Sequence, residues 1–181
     1  MDAITLLKDR RSVRKYKNEI VSKELMLEIS ELTKYSPSWG NLQIARYTFI
    51  TDENSIKRIA EDGVKGFVYN IKTLLNARNV AVISYVKGKS GKLGKDEYAT
   101  SKTNSWEVFD AGIATHQFCL AAYAKGVGTV IMGVIDDTVI REIIKLPEEE
   151  SVGALIVYGF ESGVHSAPTP RKDIKELIRF I

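Results

Sequence analysis

Arg10-Arg11-Ser12-Val13-Arg14 places three guanidinium groups and a hydroxyl within five residues. Arginine presents a planar fork of donors that suits phosphate, so the run is a candidate anion site. A second basic pair, Arg171-Lys172, stands near the other end of the chain, and the two would clamp a phosphate if they met in space. Taken alone, the run is equally a solvated helix end whose cations complement the helix dipole.

Other motifs for chemistry fail on spacing. Gly88-Lys89-Ser90-Gly91-Lys92 lacks the first glycine and the final Ser or Thr of a phosphate loop. Gly126-Val127-Gly128 precedes a strand pattern instead of following one, against a dinucleotide fingerprint. His116 and His165 are far apart and have no spaced carboxylate, a poor metal signal. Cys119 lies among apolar neighbours and reads as an inert core thiol. No Gly-x-Ser-x-Gly elbow is present. With no protein-borne acid, base, nucleophile or metal cluster in view, a bound cofactor is the expected carrier of any chemistry.

The elements that must position these residues follow from periodicity. Asp2 caps a short helix carrying Ile4, Leu6 and Leu7 that leads into the arginines. Ser22 caps a second helix, with Leu25, Ile29 and Leu32 on one side, which stops before Ser36-Pro37. Residues 36–45 read as a loop, 47–50 as a strand, 55–61 and 68–76 as helices, and 80–86 as a buried strand. Residues 87–104 are rich in Lys, Gly, Ser and Thr and read as a long loop, a mobile lid or a solvated excursion. Residues 106–125 form the longest helical pattern, apolar nearly all round and therefore central. Strands at 130–132 and 154–158 flank a capped helix at 136–145, and a short helix over 173–181 ends the pattern. Helices interleaved with about four strands around one core give an α+β or α/β expectation.

Composition narrows the function classes. At 181 residues, one domain over 1–181 is expected. With 26 basic and 23 acidic residues the net charge is +3, far short of a nucleic-acid footprint. One cysteine permits no intrachain disulfide, which fits a reducing, cytoplasmic setting. The first residues carry no signal-peptide pattern, and no apolar run approaches the ~20 residues of a membrane span.

Four patches remain: Arg10–Arg14; Ser36-Pro37-Ser38-Trp39-Gly40-Asn41-Leu42-Gln43; Asp110-Ala111-Gly112 with Gly126-Val127-Gly128-Thr129; and Pro170-Arg171-Lys172. In this order they resemble the nitroreductase family of FMN-dependent oxidoreductases. That family opens with Arg-x-Ser, continues with Ser-Pro-Ser-x-x-Asn-x-Gln and an Asp-x-Gly helix ending in Gly-x-Gly-Thr, and closes with a late Arg or Lys. The resemblance implies an α+β nitroreductase-like fold, with a mostly antiparallel central sheet flanked by helices. It also implies an intertwined homodimer binding FMN at the subunit interface. Arg10 and Ser12, with Arg171 or Lys172, would hold the phosphate and ribityl end. Arg14 would support the reduced flavin at its pyrimidine edge, and Arg11 would contact FMN through its backbone or pair with an acid. Pro37, Ser38 and Asn41 would reach the flavin, some from the partner, and Met132 and Gly133 would lie along one face of the ring.

The activity implied is hydride transfer from NADH or NADPH, through flavin N5, to a nitroaromatic, a quinone or a similar small acceptor. The alternative is a flavin-binding carrier, sensor or partner-binding protein with little reductase activity. A third reading is a non-flavin domain whose arginines bind an anionic partner. Three departures from the family pattern stand out. Gln43 is followed by Ile44-Ala45 instead of Pro-Trp; His116-Gln117 replaces Gln-Asn; and no Glu accompanies Met132-Gly133. The chain is also short for the family, leaving residues 87–106, with Trp106, as the expected source of any lid.

Overall fold

The computed structural model describes residues 1–94, 97–165 and 167–181. Its centre is a four-stranded sheet in the order β1-β2-β4-β3, formed by β1 (Ala45–Ile50), β2 (Val80–Val86), β3 (Gly128–Met132) and β4 (Glu150–Gly159). Every adjacent pair is antiparallel. The helices are α1 (Ala3–Asp9), α2 (Lys23–Thr33), α3 (Glu53–Asp62), α4 (Val68–Leu75), α5 (Ser105–Ala124) and α6 (Asp137–Ile144). The α+β arrangement and the antiparallel sheet agree with the expectation.

Strand alternation divides the core into two layers. Val80, Val82, Leu155 and Val157 point to one face, where α3, α4 and α6 contribute Ile56, Ile59, Leu74 and Ile140. Ala81, Ile83, Ile156 and Tyr158 point to the other, against Met26 and Ile29 of α2 and Phe118, Cys119 and Ala122 of α5. Being buried on both faces, β2 reads as a continuous apolar run. Asp2, Ser22 and Asp136 begin α1, α2 and α6 as the sequence indicates, accepting their backbone N–H groups, and Asp52 does the same for α3.

Two elements differ from expectation. β4 begins at Glu150, ahead of the apolar stretch, because its first residues pair with Ser84–Val86 across an irregularity between Ile83 and Ser84. The terminal helix is reduced to one 3-10 turn over Ile174–Glu176. Its apolar residues Ile174, Leu177 and Phe180 are exposed, and so short an amphipathic segment is not helical without a surface to pack on.

After α1 the chain lies along the sheet as a strap. Ser12 bridges Thr129 in parallel, Val13 N–H donates to the Thr129 carbonyl at 2.9 Å, and Lys17 N–H donates to the Phe160 carbonyl at 2.9 Å. Val13 and Tyr16 turn inward, the Tyr16 hydroxyl reaching the carbonyls of Val13 and Val157. The approach is close enough to require glycine at 128, where a Cβ would stand 2.7 Å from Val13 Cγ2. Gly128→Ala should therefore destabilise by about 1–3 kcal/mol through overpacking, read as a lower urea midpoint. Adding Val13→Ala should recover part of the loss, and simple additivity of the two costs would show that the contact is not the cause.

Candidate functional site

The strap holds Ser12, Arg14 and Lys15 outward, where Glu161, Ser162 and Gly163 face them across a groove of about 420 Å³. Ser162 N–H donates to the Lys15 carbonyl at 3.0 Å and fixes the far wall. Arg14 is exposed, and among the described residues its side chain makes a long contact to the Ser12 carbonyl at 3.4 Å. Arg10 is half-buried, and its side chain has no hydrogen bond or ion pair among the described residues. Arg11 bends back onto the end of α1, donating to the carbonyls of Lys8 and Arg10. Its Nε is buried without a partner among the described residues.

The 36–43 loop is held elsewhere on the protomer, by α5. Trp39 N–H donates to both carboxylate oxygens of Asp110, at 3.0 and 3.1 Å. Asp110 is buried and also accepts the Ser90 hydroxyl at 2.6 Å. Trp39 Nε1 donates to the Lys92 carbonyl at 3.2 Å, and the indole packs 4.9 Å from the Trp106 ring. Ser38 Oγ accepts Gln43 N–H at 2.9 Å. Gly40, Asn41 and Gln43 all adopt positive φ, of 51°, 55° and 49°. Such strain in neighbouring residues persists only where surrounding bonds over-determine the backbone, and it clusters at functional loops. Pro37 and Asn41 are exposed at this turn.

Met132 and Gly133 end β3 at the sheet edge. Met132 is 2% exposed and belongs to the core, so its side chain is not offered to a ligand. Gly133 is open, with nothing within 4 Å of where a Cβ would sit. Arg171 and Lys172 do not line the groove. Arg171 donates to Thr169 and Lys172 pairs with Glu176 at 3.7 Å. One protomer thus brings Ser12 and Arg14 together at the groove, with Arg10 and Arg11 just before them in the chain. Pro37, Ser38 and Asn41 stand apart in the 36–43 loop that Asp110 of α5 holds, and the late basic pair stands apart on the tail.

Two carboxylates matter more than their sequence positions suggested. Glu107, also buried, accepts Gly88 N–H at 2.5 Å and Lys89 N–H at 3.1 Å. With Asp110, which accepts Ser90, it ties residues 88–90 at the start of the expected lid to α5. Lys95 and Asp96, within that segment, lie outside the described residues. Two acids one helical turn apart on an otherwise apolar helix were the available signal.

The groove's outer wall carries a histidine clasp. His165 Nδ1 lies 2.6 Å from Glu161 Oε2 and Nε2 lies 3.0 Å from the Asp9 carbonyl, while the ring stacks on Tyr123. Both ring nitrogens face acceptors, so only the imidazolium satisfies both. The Glu161 bond, followed by that to Asp9, raises the His165 pKa above its ordinary 6.5, with Arg11 opposing. A pKa raised on folding gives stabilisation that is complete below the unfolded value and is lost as pH rises through the native one. Hydrogen exchange at residues 161–165, corrected for its intrinsic pH dependence, should accelerate on that rise and be uniformly fast in His165→Ala. A pH-independent rate in the parent would remove the clasp.

Comparison with known proteins places this geometry. The family model described as the nitroreductase family matches residues 7–160. A Haemophilus influenzae protein named "Putative NAD(P)H nitroreductase" is 28% identical over 188 residues, covering 100% of both chains. The solved FMN-dependent nitroreductase of Clostridium difficile R20291 is 26% identical, with a TM-score of 0.77 over 98% of both chains. A structure from Exiguobacterium sibiricum, solved in complex with FMN, superimposes at a TM-score of 0.85 over 99% of this chain and 97% of its own, at 21% identity. With its fold, its arginine strap and its Asp110-anchored loop in the expected order, the chain belongs to the nitroreductase family.

Proposed function

We propose that this chain binds FMN at the interface of a homodimer and uses it as an NAD(P)H-dependent oxidoreductase acting on a nitroaromatic, quinone or similar small acceptor. The observation that carries the proposal is the strap. It fixes Ser12 and Arg14 at the lip of a groove, and just before them in the chain Arg10 is half-buried without a protein partner among the described residues and Arg11 keeps one buried guanidinium nitrogen unpartnered. Unpartnered cationic donors suit a phosphate, and the open backbone at Gly133 suits the approach of a flat ring. The residues present fit the cofactor.

The flavin would supply the two-electron hydride chemistry between NAD(P)H and the acceptor. Arg10 and Ser12 bind the phosphate and ribityl end, with Arg171 or Lys172 completing the charge. Arg14 lies toward the pyrimidine edge, where its cation offsets negative charge that develops there on reduction. Gly133 gives an open backbone surface along one ring face, with Met132 packed behind it. Pro37, Ser38 and Asn41 reach the flavin, some of them from the other protomer, a reading supported by their position away from the groove in their own. Exposed apolar side chains on α1 (Ile4, Leu7), α2 (Leu27), α5 (Val108, Phe109) and the tail supply the surface that a dimer would cover.

The purified protein should be yellow and release FMN on denaturation. Arg10→Ala with Ser12→Ala should weaken FMN retention at least tenfold, and unchanged retention would sink the phosphate assignment. Anaerobic NADH or NADPH should bleach the flavin band within the mixing time. A yellow protein that neither reductant bleaches is instead a carrier, sensor or partner-binding protein.

A further inference from the structure

A second concavity, of about 730 Å³, lies on the other side of Arg14 and Lys15 from the flavin groove. It is built where the strap passes the start of α3 and the end of α4, and none of the motifs above accounts for it. We propose that this cavity binds the phosphate-bearing adenosine end of NADPH, recognising its 2′-phosphate. The inference rests on the oxidoreductase reading and extends it to the choice of reductant.

Charge is the first support. Arg14, Lys15, Lys57 and Arg78 line the cavity, and Glu53 is the acid among its lining residues. Glu53 is already paired with Arg78 at 2.5 Å. Lys57 has only a long, exposed contact with Glu61, at 3.8 Å, of a kind worth little in water. The Arg78 Nε is buried with no acceptor among the described residues. The cavity therefore sets four cationic side chains against one acid and holds one buried guanidinium nitrogen without an acceptor among the described residues, a setting that suits a doubly charged phosphate.

Shape and chemistry are the second. The volume falls within the range of small-molecule sites, which join a largely apolar floor to a few directed polar groups. Tyr16 and Ile56 supply apolar wall, and Asn54 and Asn76 add side-chain amides to the lining; the Asn76 amide N–H2 already donates to the Lys72 carbonyl at 2.7 Å, which leaves its oxygen and the Asn54 amide for hydroxyls and ring nitrogens of a nucleoside. Position is the third. A dinucleotide whose nicotinamide lies over the flavin must send its other half away from the ring, and the cavity shares Arg14 with the groove that the flavin occupies in this reading.

The test is calorimetric titration of the FMN-loaded protein with 2′,5′-ADP, 5′-AMP and inorganic phosphate. The expected result is binding of 2′,5′-ADP, with 5′-AMP and phosphate at least tenfold weaker. Lys57→Gln should weaken 2′,5′-ADP about tenfold and Lys57→Glu further, as loss and then reversal of one charge in a phosphate contact. Both substitutions sit on an exposed side chain and leave the fold intact. The same variants should raise the KM for NADPH without changing kcat, and leave the kinetics with NADH as they were. Absence of 2′,5′-ADP binding, equal binding of 5′-AMP, or parent-like affinity in Lys57→Glu would each overturn the proposal. If the protein retains no FMN, the functional reading fails separately, and titration of the flavin-free chain still reads the cavity.

Discussion

The hydrogen bonds that lay residues 12–17 onto the sheet are the constraint from which the rest of the molecule's surface chemistry follows. Val13 to Thr129, Lys17 to Phe160 and Ser162 to Lys15 fix the strap at both ends. Gly128 lets it approach so closely that Val13 seals one core layer. Because Val13 and Tyr16 are committed inward, Ser12, Arg14 and Lys15 have no choice but to face out. One short segment thereby becomes the partition between two concavities, with its cations distributed to both.

α5 plays the complementary role from the opposite layer. Its apolar residues bury against β2 and α2, yet Glu107 and Asp110 are carried into the same buried setting. Isolated carboxylates there would be costly, and each is instead satisfied by loop donors. The arrangement works in both directions. The loops satisfy the buried carboxylates, and Asp110 in turn holds the Trp39 turn with its left-handed backbone.

What could be read in the sequence was what periodicity and caps encode. The continuous apolar run of β2, the all-round apolar pattern of α5 and the Asp and Ser caps each announce themselves locally. Four short motifs in order gave the family. What could not be read depends on partners distant in the chain. The order of the 87–92 turn comes from Glu107 and Asp110, not from its own Lys- and Gly-rich composition. The early start of β4 comes from pairing with Ser84–Val86. The failed terminal helix has a correct pattern, but there is nothing in its own protomer to pack on. Arg171 and Lys172 were legible as a basic pair, whereas their separation from Ser12 and Arg14 was not, because sequence order carries no information on where a tail settles.

Cys119 has a use that its chemistry alone would not suggest. It is 1% exposed, packed between α5 and the sheet, and burial pushes its thiol pKa up. Thiol reagents consequently meet no competent thiolate in the native protein. As the chain's one cysteine, it is a built-in reporter. Any labelling counts the openings that separate α5 from the sheet, and the labelling rate measures the free energy of that opening without an engineered probe.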